Sequence, residues 1–281
     1  MPSGLEIDRG QPLNGTMAPY AEQILISTGR SDWTSRIEDE DDAVLAKRVK
    51  ELLGRGGKYS DPFHNVMLTN SSFTPSTSTP DTASAYLFPS FRYLPEIRTD
   101  TDAVEKFLKA FVLPSELHPA HGVLAEPQRE ALIRDRRLQE DFPGVQSVDD
   151  IVVLICGHGG RDQRCGILGP LLQAEFEDKL QMEGTRLRIA PPSPQDGDES
   201  DPPGARVGLI SHIGGHKYAG NVIIYIPPSM KWNPLAGKGI WYGRVSPANV
   251  EGIVKETILN GKVIKEMFRG GVEQGSKILR L

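Results

Sequence analysis

A chain of 281 residues, 38% hydrophobic and 25% charged, has the balance of a soluble globular protein and enough length for one large or two ordinary domains. Its formal net charge of -5 excludes the concentrated Lys and Arg surface that nucleic acid or an anionic membrane requires, so a protein or small-molecule partner is expected. No apolar run approaches the roughly 20 residues that span a bilayer. The first fifteen residues have neither the apolar core of a secretory signal nor the Arg-rich character of a mitochondrial presequence, which reads as a cytosolic protein or one shown without its addressing segment.

In chain order, hydrophobic periodicity predicts a strand over 23–27, an amphipathic helix over 40–53, strands over 65–70 and 85–93, and a helix over 101–112, a β-α-β-β-α order. The Ser/Thr/Pro stretch 71–84 reads as a mobile loop. Residues 114–148, with Pro114, Pro119 and Pro127, a charged helical stretch over 128–139 and a Pro143-Gly144 turn, read as a linker between domains 1–113 and 149–281.

The second half opens on Asp150-Ile-Val-Val-Leu-Ile155, an apolar run suited to a central strand buried on both faces. A glycine-rich loop (157–165), a helix (167–182) and an acidic, proline-rich loop expected to be disordered (191–204) follow. Strands over 206–211, 221–226 and 239–245 and a helix over 247–259, opened by Ser246-Pro247, complete a second β-α-β-β-(β)-α unit. Laying Ile24–Ser27 on Val153–Cys156 and Val66–Asn70 on Gly208–His212 suggests a duplication, with Ser27 and Asn70 standing where the second copy has Cys156 and His212.

Only two cysteines occur, too few for a disulfide framework. Cys156 ends the first buried strand of the second half, and Cys165 lies across a glycine-rich loop that could wrap around an object but has little reason to pack. His212 follows an apolar strand, and Gly214-Gly215 folds the chain back so that His216 can face the same point. Strand ends are where α/β folds gather ligands, so two thiolates and two imidazoles are expected to converge. Singly, each would more often be a buried small residue or a satisfied polar one.

Structural zinc sites usually take their cysteines from a tight knuckle, and this spacing is wider; an iron–sulfur cluster with two histidine ligands is known chemistry in the Rieske type. The Rieske pattern interleaves Cys and His, whereas both cysteines come first here. The Cys-x-x-Cys of a thioredoxin active site is also absent. A metal-free thiol oxidoreductase cycling Cys156 and Cys165 through a disulfide, and a structural zinc module, stay open as alternatives. His158 is a rival ligand. Arg161, Arg164 and Lys217 are read as either charges around the site or solvated loop residues. Trp241 and Tyr242 are read as core packing in preference to an electron path, His118 and His121 as surface residues, and His64 as a turn residue.

The strings Cys156-Gly-His-Gly-Gly-Arg-Asp-Gln-Arg-Cys165-Gly, Ser211-His-Ile-Gly-Gly-His-Lys-Tyr-Ala-Gly-Asn221 and Ile240-Trp-Tyr-Gly-Arg-Val245 resemble the sucrase/ferredoxin-like family. Gly15-Thr-Met-Ala-Pro-Tyr20 and Asp32-Trp-Thr-Ser-Arg-Ile37 resemble its mitochondrial branch, the altered inheritance of mitochondria proteins. The resemblance implies an α/β fold of two thioredoxin-like units, the first without metal ligands and the second a ferredoxin domain with a [2Fe-2S] cluster on Cys156, Cys165, His212 and His216. It further implies the matrix and intermembrane space of mitochondria, a part in thiol redox quality control, and an electron carrier with a redox partner protein in place of an enzyme. No hydrolase pattern accompanies the family's name. With two imidazole ligands, the midpoint potential is expected to fall as pH rises through the imidazole range; a potential measured flat from mildly acidic to strongly alkaline pH would rule that ligation out.

Overall fold

The computed structural model describes residues 5–193 and 203–281. The first half holds β1 (Glu22–Ser27), α1 (Val44–Leu53), β2 (Val66–Ser71), β3 (Thr82–Phe88), β4 (Arg92–Arg98) and α2 (Thr101–Phe107), which runs on as a π-turn segment, Leu108–Val112. α3 (Glu126–Leu132) and the short β5 (Gln146–Ser147) follow. The second half holds β6 (Ile151–Cys156), α4 (Gln163–Met182), β7 (Ala205–Ile210), β8 (Val222–Ile226), β9 (Lys238–Tyr242) and α5 (Pro247–Ile253), again continued by a π segment, Val254–Leu259. β10 (Phe268–Glu273) and β11 (Lys277–Leu279) close the chain.

All of these strands form one sheet in the order β11-β10-β9-β8-β6-β7-β2-β1-β3-β4-β5. β1 runs parallel to β2 and antiparallel to β3, and β6 stands in the same relation to β7 and β8. Each half is thus a β-α-β unit joined to a β-β-α unit with sheet order 2-1-3-4, the thioredoxin-like arrangement. Every residue of β1 and of β6 is buried, as strands flanked on both edges and covered on both faces must be.

The halves meet where β2 and β7, antiparallel, pair through Ser71 and Ile210. Just beyond, the contacts are reciprocal. Ser72 N–H donates to Leu209 O at 2.9 Å and Ser211 N–H to Asn70 O at 3.0 Å. The Ser72 hydroxyl accepts from Leu209 N–H at 2.9 Å, and the Ser211 hydroxyl accepts from Asn70 N–H at 3.0 Å. This twofold pattern makes Ser72 the counterpart of Ser211, and so Phe73 the counterpart of His212. Asn70 therefore matches Leu209, which corrects the overlay of Asn70 on His212; the apolar letters of β2 and β7 match in more than one register, and only hydrogen bonding selects one.

Other differences from the expected elements have local causes. The single strand over 85–93 is a hairpin, because Phe88, Phe91 and Tyr93 are all buried and carry the apolar signal through the turn. α4 begins at Gln163, four residues early, because Asp162 caps it by accepting Arg164 N–H at 3.0 Å. β10 and β11 were not foreseen, since Arg269-Gly270-Gly271 breaks the strand pattern. Leu132, Leu138, Phe142 and Val145 of the 114–148 segment pack on the first half's core. Residues 194–202 of the acidic, proline-rich segment lie outside those described.

The second core runs through both halves: Met17, Tyr20, Leu25, Tyr86 and Phe88 pack with Tyr225, Trp241 and β6. At its centre the Phe88 and Tyr225 rings stack at 4.1 Å, and the Tyr225 hydroxyl donates to Gln23 Oε1 at 2.7 Å.

Two stability outcomes are expected. Ser72→Ala and Ser211→Ala should each cost about 1–2 kcal/mol in urea unfolding, because each strips the acceptor from a backbone N–H at the seam; a change near zero for both would mean that the seam does not hold the halves together. Glu22 is buried, and loss of hydration pushes its pKa up to about 7 despite the Ser90 hydroxyl donating to Oε1 at 2.7 Å. Its folded pKa lies above its ordinary value, so its stabilising share is complete below pH ~4.5 and lost as pH rises through about 7. Relative to Glu22→Gln, the wild type should lose on the order of 3 kcal/mol between pH 4.5 and 8, read from melting curves of the two proteins across that range.

Candidate metal centre

Cys156 closes β6, its N–H donating to Asn221 O at 3.0 Å, and the next N–H, of Gly157, donates to Ile210 O at 3.1 Å. The strand end is therefore clamped from both sides. Cys165 sits in the first turn of α4, not in the loop. The two thiols are in hydrogen-bonding contact, and their exposures are 1% and 0%. Donation from Cys165 and contact with His212 hold the Cys156 sulfur well below the ordinary thiol range, while the contact with Cys156 and burial push Cys165 up. The N-terminal end of a helix favours negative sulfur nearby.

His212 and His216 lie side by side, ring centroids 5.3 Å apart and tilted by 35°. His216 is exposed and His212 half-buried. Gly214 and Gly215, with φ of 83° and 75°, make the turn between them in the left-handed region. Cys156 interacts with Cys165 and His212, and His212 lies beside His216.

His158 has a different role from ligand. Its Nδ1 accepts the His212 backbone N–H at 2.9 Å, so its Nε2 carries the proton and donates to Trp33 O at 3.0 Å and Thr34 O at 2.9 Å. Both ring nitrogens are used, and the ring is 1% exposed. It ties the backbone of one histidine to the first half of the chain.

The glycine-rich loop packs, contrary to expectation. Asp32 accepts the Gly160 N–H at 3.1 Å, and Gly160 lies so close to Trp33 O that a Cβ would collide with it. A Cβ on Gly166 would stand 2.7 Å from Gly159 Cα, and one on Gly169 2.6 Å from Gly157 Cα, so these glycines let α4 lie directly on the loop. Arg164 makes a paired contact with Asp162, at 2.9 and 2.8 Å, and Arg161 donates to Ser35 at 2.8 Å. Both are loop braces. Lys217 is the exposed charge beside His216, 3.8 Å from Asp8.

Sequence reasoning missed the N-terminal strap and Arg269. Asp8 N–H donates to Lys217 O at 2.8 Å, and Arg244 donates to Gln11 O at 2.7 Å. Arg269, 2% exposed, donates to Thr16 O at 2.8 Å, Asn221 Oδ1 at 2.7 Å and Gly214 O at 3.2 Å. Burial lowers its pKa to about 10, and the Cys156 charge works against that shift. The signal was available: a lone arginine between Phe268 and two glycines in an apolar terminal segment.

Trp241 and Tyr242 are core residues, the first donating to the Tyr20 hydroxyl at 3.0 Å, the second meeting Thr257 at 2.7 Å. His64 Nε2 meets Val112 O at 2.8 Å. His118 is exposed under Phe63, but His121 is buried against Asp61 at 3.2 Å, which corrects its reading as a surface residue.

The donor types, two thiols and two imidazoles, are those of a histidine-ligated iron–sulfur cluster. His212 Nδ1 is buried with no hydrogen-bond partner, a condition ordinarily costly unless a ligand takes that nitrogen. Among the described residues, no three His, Cys, Asp or Glu side chains are grouped to hold one metal ion. The thiol pair and the imidazole pair are linked where Cys156 meets His212.

The sucrase/ferredoxin-like family profile matches residues 13–270. Altered inheritance of mitochondria protein 32 of Debaryomyces hansenii is 32% identical over 97% of this chain and 90% of its own length. The protein of the same name from Meyerozyma guilliermondii is 29% identical over 96% and 88%. Among solved structures, a thioredoxin-like [2Fe-2S] ferredoxin from Aquifex aeolicus aligns with 43% of this chain and 90% of its own at 18% identity and a TM-score of 0.28. With its profile matched across nearly the whole length, the chain belongs to the sucrase/ferredoxin-like family.

Proposed function

We propose that this chain is a mitochondrial electron-transfer protein that holds a [2Fe-2S] cluster on Cys156, Cys165, His212 and His216, and that residues 149–281 are its cluster-bearing unit. The carrying observation is the pairing of donors: two thiols in contact, two imidazoles 5.3 Å apart, and one buried imidazole nitrogen without a partner. The names of the relatives support the mitochondrial association. A cluster held by these four residues would supply a one-electron couple.

The chain's own residues do the rest. β6 and α4 hold the sulfurs in a dry pocket, which keeps water and thiols away from them. His158 fixes the backbone from which His212 projects. Arg269 places a positive charge in the low-dielectric interior within reach of Cys156, favouring added negative charge. His216 and Lys217 are exposed, so a redox partner with an acidic surface would approach at the imidazole edge.

The burial of both thiols opposes the metal-free dithiol reading, because thiol exchange requires in-line access to a sulfur. The eight residues between Cys156 and Cys165 oppose a structural zinc ion, whose cysteines usually come from a tight knuckle.

Anaerobically purified protein should be brown, with about two irons and two sulfides per chain and a low-average-g EPR signal after dithionite. A colourless protein loaded with zinc, or carrying no metal, overturns the reading. His158→Ala should leave the positions of the absorption bands and g values unchanged while cluster loading falls several-fold; displaced bands would make His158 a ligand.

A further inference from the structure

The equivalence of the two halves places a second cleft where the C-terminal half gathers its donors. A cavity of about 360 Å³ opens at the C-terminal ends of β1 and β2, with Ser27, Asn70, Thr77 and the first turn of α1 in its lining. Ser27 ends β1 as Cys156 ends β6, and Ala46 is the third residue of α1 as Cys165 is of α4. Thr77 lies as far beyond β2 as His216 lies beyond β7. Phe73, in the place of His212, turns onto Gly208, where an added Cβ would stand 2.7 Å from its ring. The soft ligands are gone, and the cleft is kept.

Two independent features give this cleft a chemistry. Ser27 is 5% exposed, and its hydroxyl is buried with no hydrogen-bond partner. The ten-residue helix α1 starts from Ala43, which offers no side-chain acceptor, whereas α2 and α4 are capped by Asp100 and Asp162. Among the described residues, no acceptor meets the backbone N–H groups of Leu45 and Ala46. Free donors at a helix N-terminus and an unpartnered hydroxyl at the end of the preceding strand together form a seat for an anionic oxygen.

The rim narrows the choice of ligand. Arg30 lines it but already pairs with Glu40 at 2.6 Å and with Asp42 at 3.4 Å, and Asp81 lines it as an exposed carboxylate. A phosphate dianion would meet this excess of negative charge. A single carboxylate that brings its own ammonium would not. We propose that the cleft binds a small zwitterion, an amino acid or short peptide, its carboxylate on the Ser27 hydroxyl and the α1 N–H groups and its ammonium at Asp81.

The test is isothermal titration of the full chain with glycylglycine, acetate and inorganic phosphate. Glycylglycine should bind one per chain and at least tenfold more tightly than acetate. Ser27→Ala should weaken it at least fivefold while the ligand-free melting temperature stays equal or rises, since an unsatisfied buried hydroxyl is removed. Asp81→Asn should narrow the gap between glycylglycine and acetate. Absence of glycylglycine binding, unchanged affinity in Ser27→Ala, or binding of phosphate alone would each overturn the proposal.

Discussion

One imidazole, His158, couples the two halves at the place where chemistry is concentrated. Its Nδ1 is committed to the backbone of His212 and its Nε2 to two carbonyls of the 33–34 segment, so neither half can shift without breaking a buried hydrogen bond. Such a bond is worth modest free energy when made and considerably more when one buried partner is left alone. The position of His212 therefore depends on a turn more than a hundred residues away in sequence. The close approach of Gly160 to Trp33, and the grip of Asp32 on Gly160 N–H, belong to the same contact.

The two halves share one fold, and the four soft donors stand on one side only. The strand ends of both halves are built alike, and the reciprocal serine contacts at the β2–β7 seam fix their correspondence. At the four donor positions the side chains differ. In the first half the residues at those places are hydroxyl, methyl and phenyl groups, one of which packs into the seam. Its loop after β1 is then free to reach across and brace the other half's cysteine loop. The half without the soft donors thus supplies the segment that braces the half that has them.

Much of the candidate site was legible in sequence because its residues are chemically rare. Two cysteines and two histidines at the ends of apolar runs seldom gather there for packing alone, and the strand Ile151–Cys156 announced itself by continuous hydrophobicity. The helices over 101–112 and 247–259 were equally readable, since their caps and apolar faces persist through the π segments. The rest was hidden for physical reasons. The β3–β4 turn buries aromatic residues and so mimics a strand, and the helical start of α4 is masked by Gly166, whose lack of side chain serves packing. The strap from Asp8 to Met17 contacts the site mainly through backbone atoms, which leave no residue-type signature.

Arg269 gives the interior of the second half an electrical asymmetry. Its guanidinium is held by a threonine, an asparagine side chain and two carbonyls, all formally neutral, and among the described residues no carboxylate closes the charge. Buried cations without a counter-ion are rare because their hydration has been given up with only dipoles in return. The protein accordingly stores a standing positive potential behind Cys156, supplied by a strand at the far end of the chain. Whatever negative charge resides at the strand end, on sulfur or on a bound group, is the counter-ion that this arginine otherwise lacks, so the folding of the last strands and the charge state of the site are two aspects of one balance.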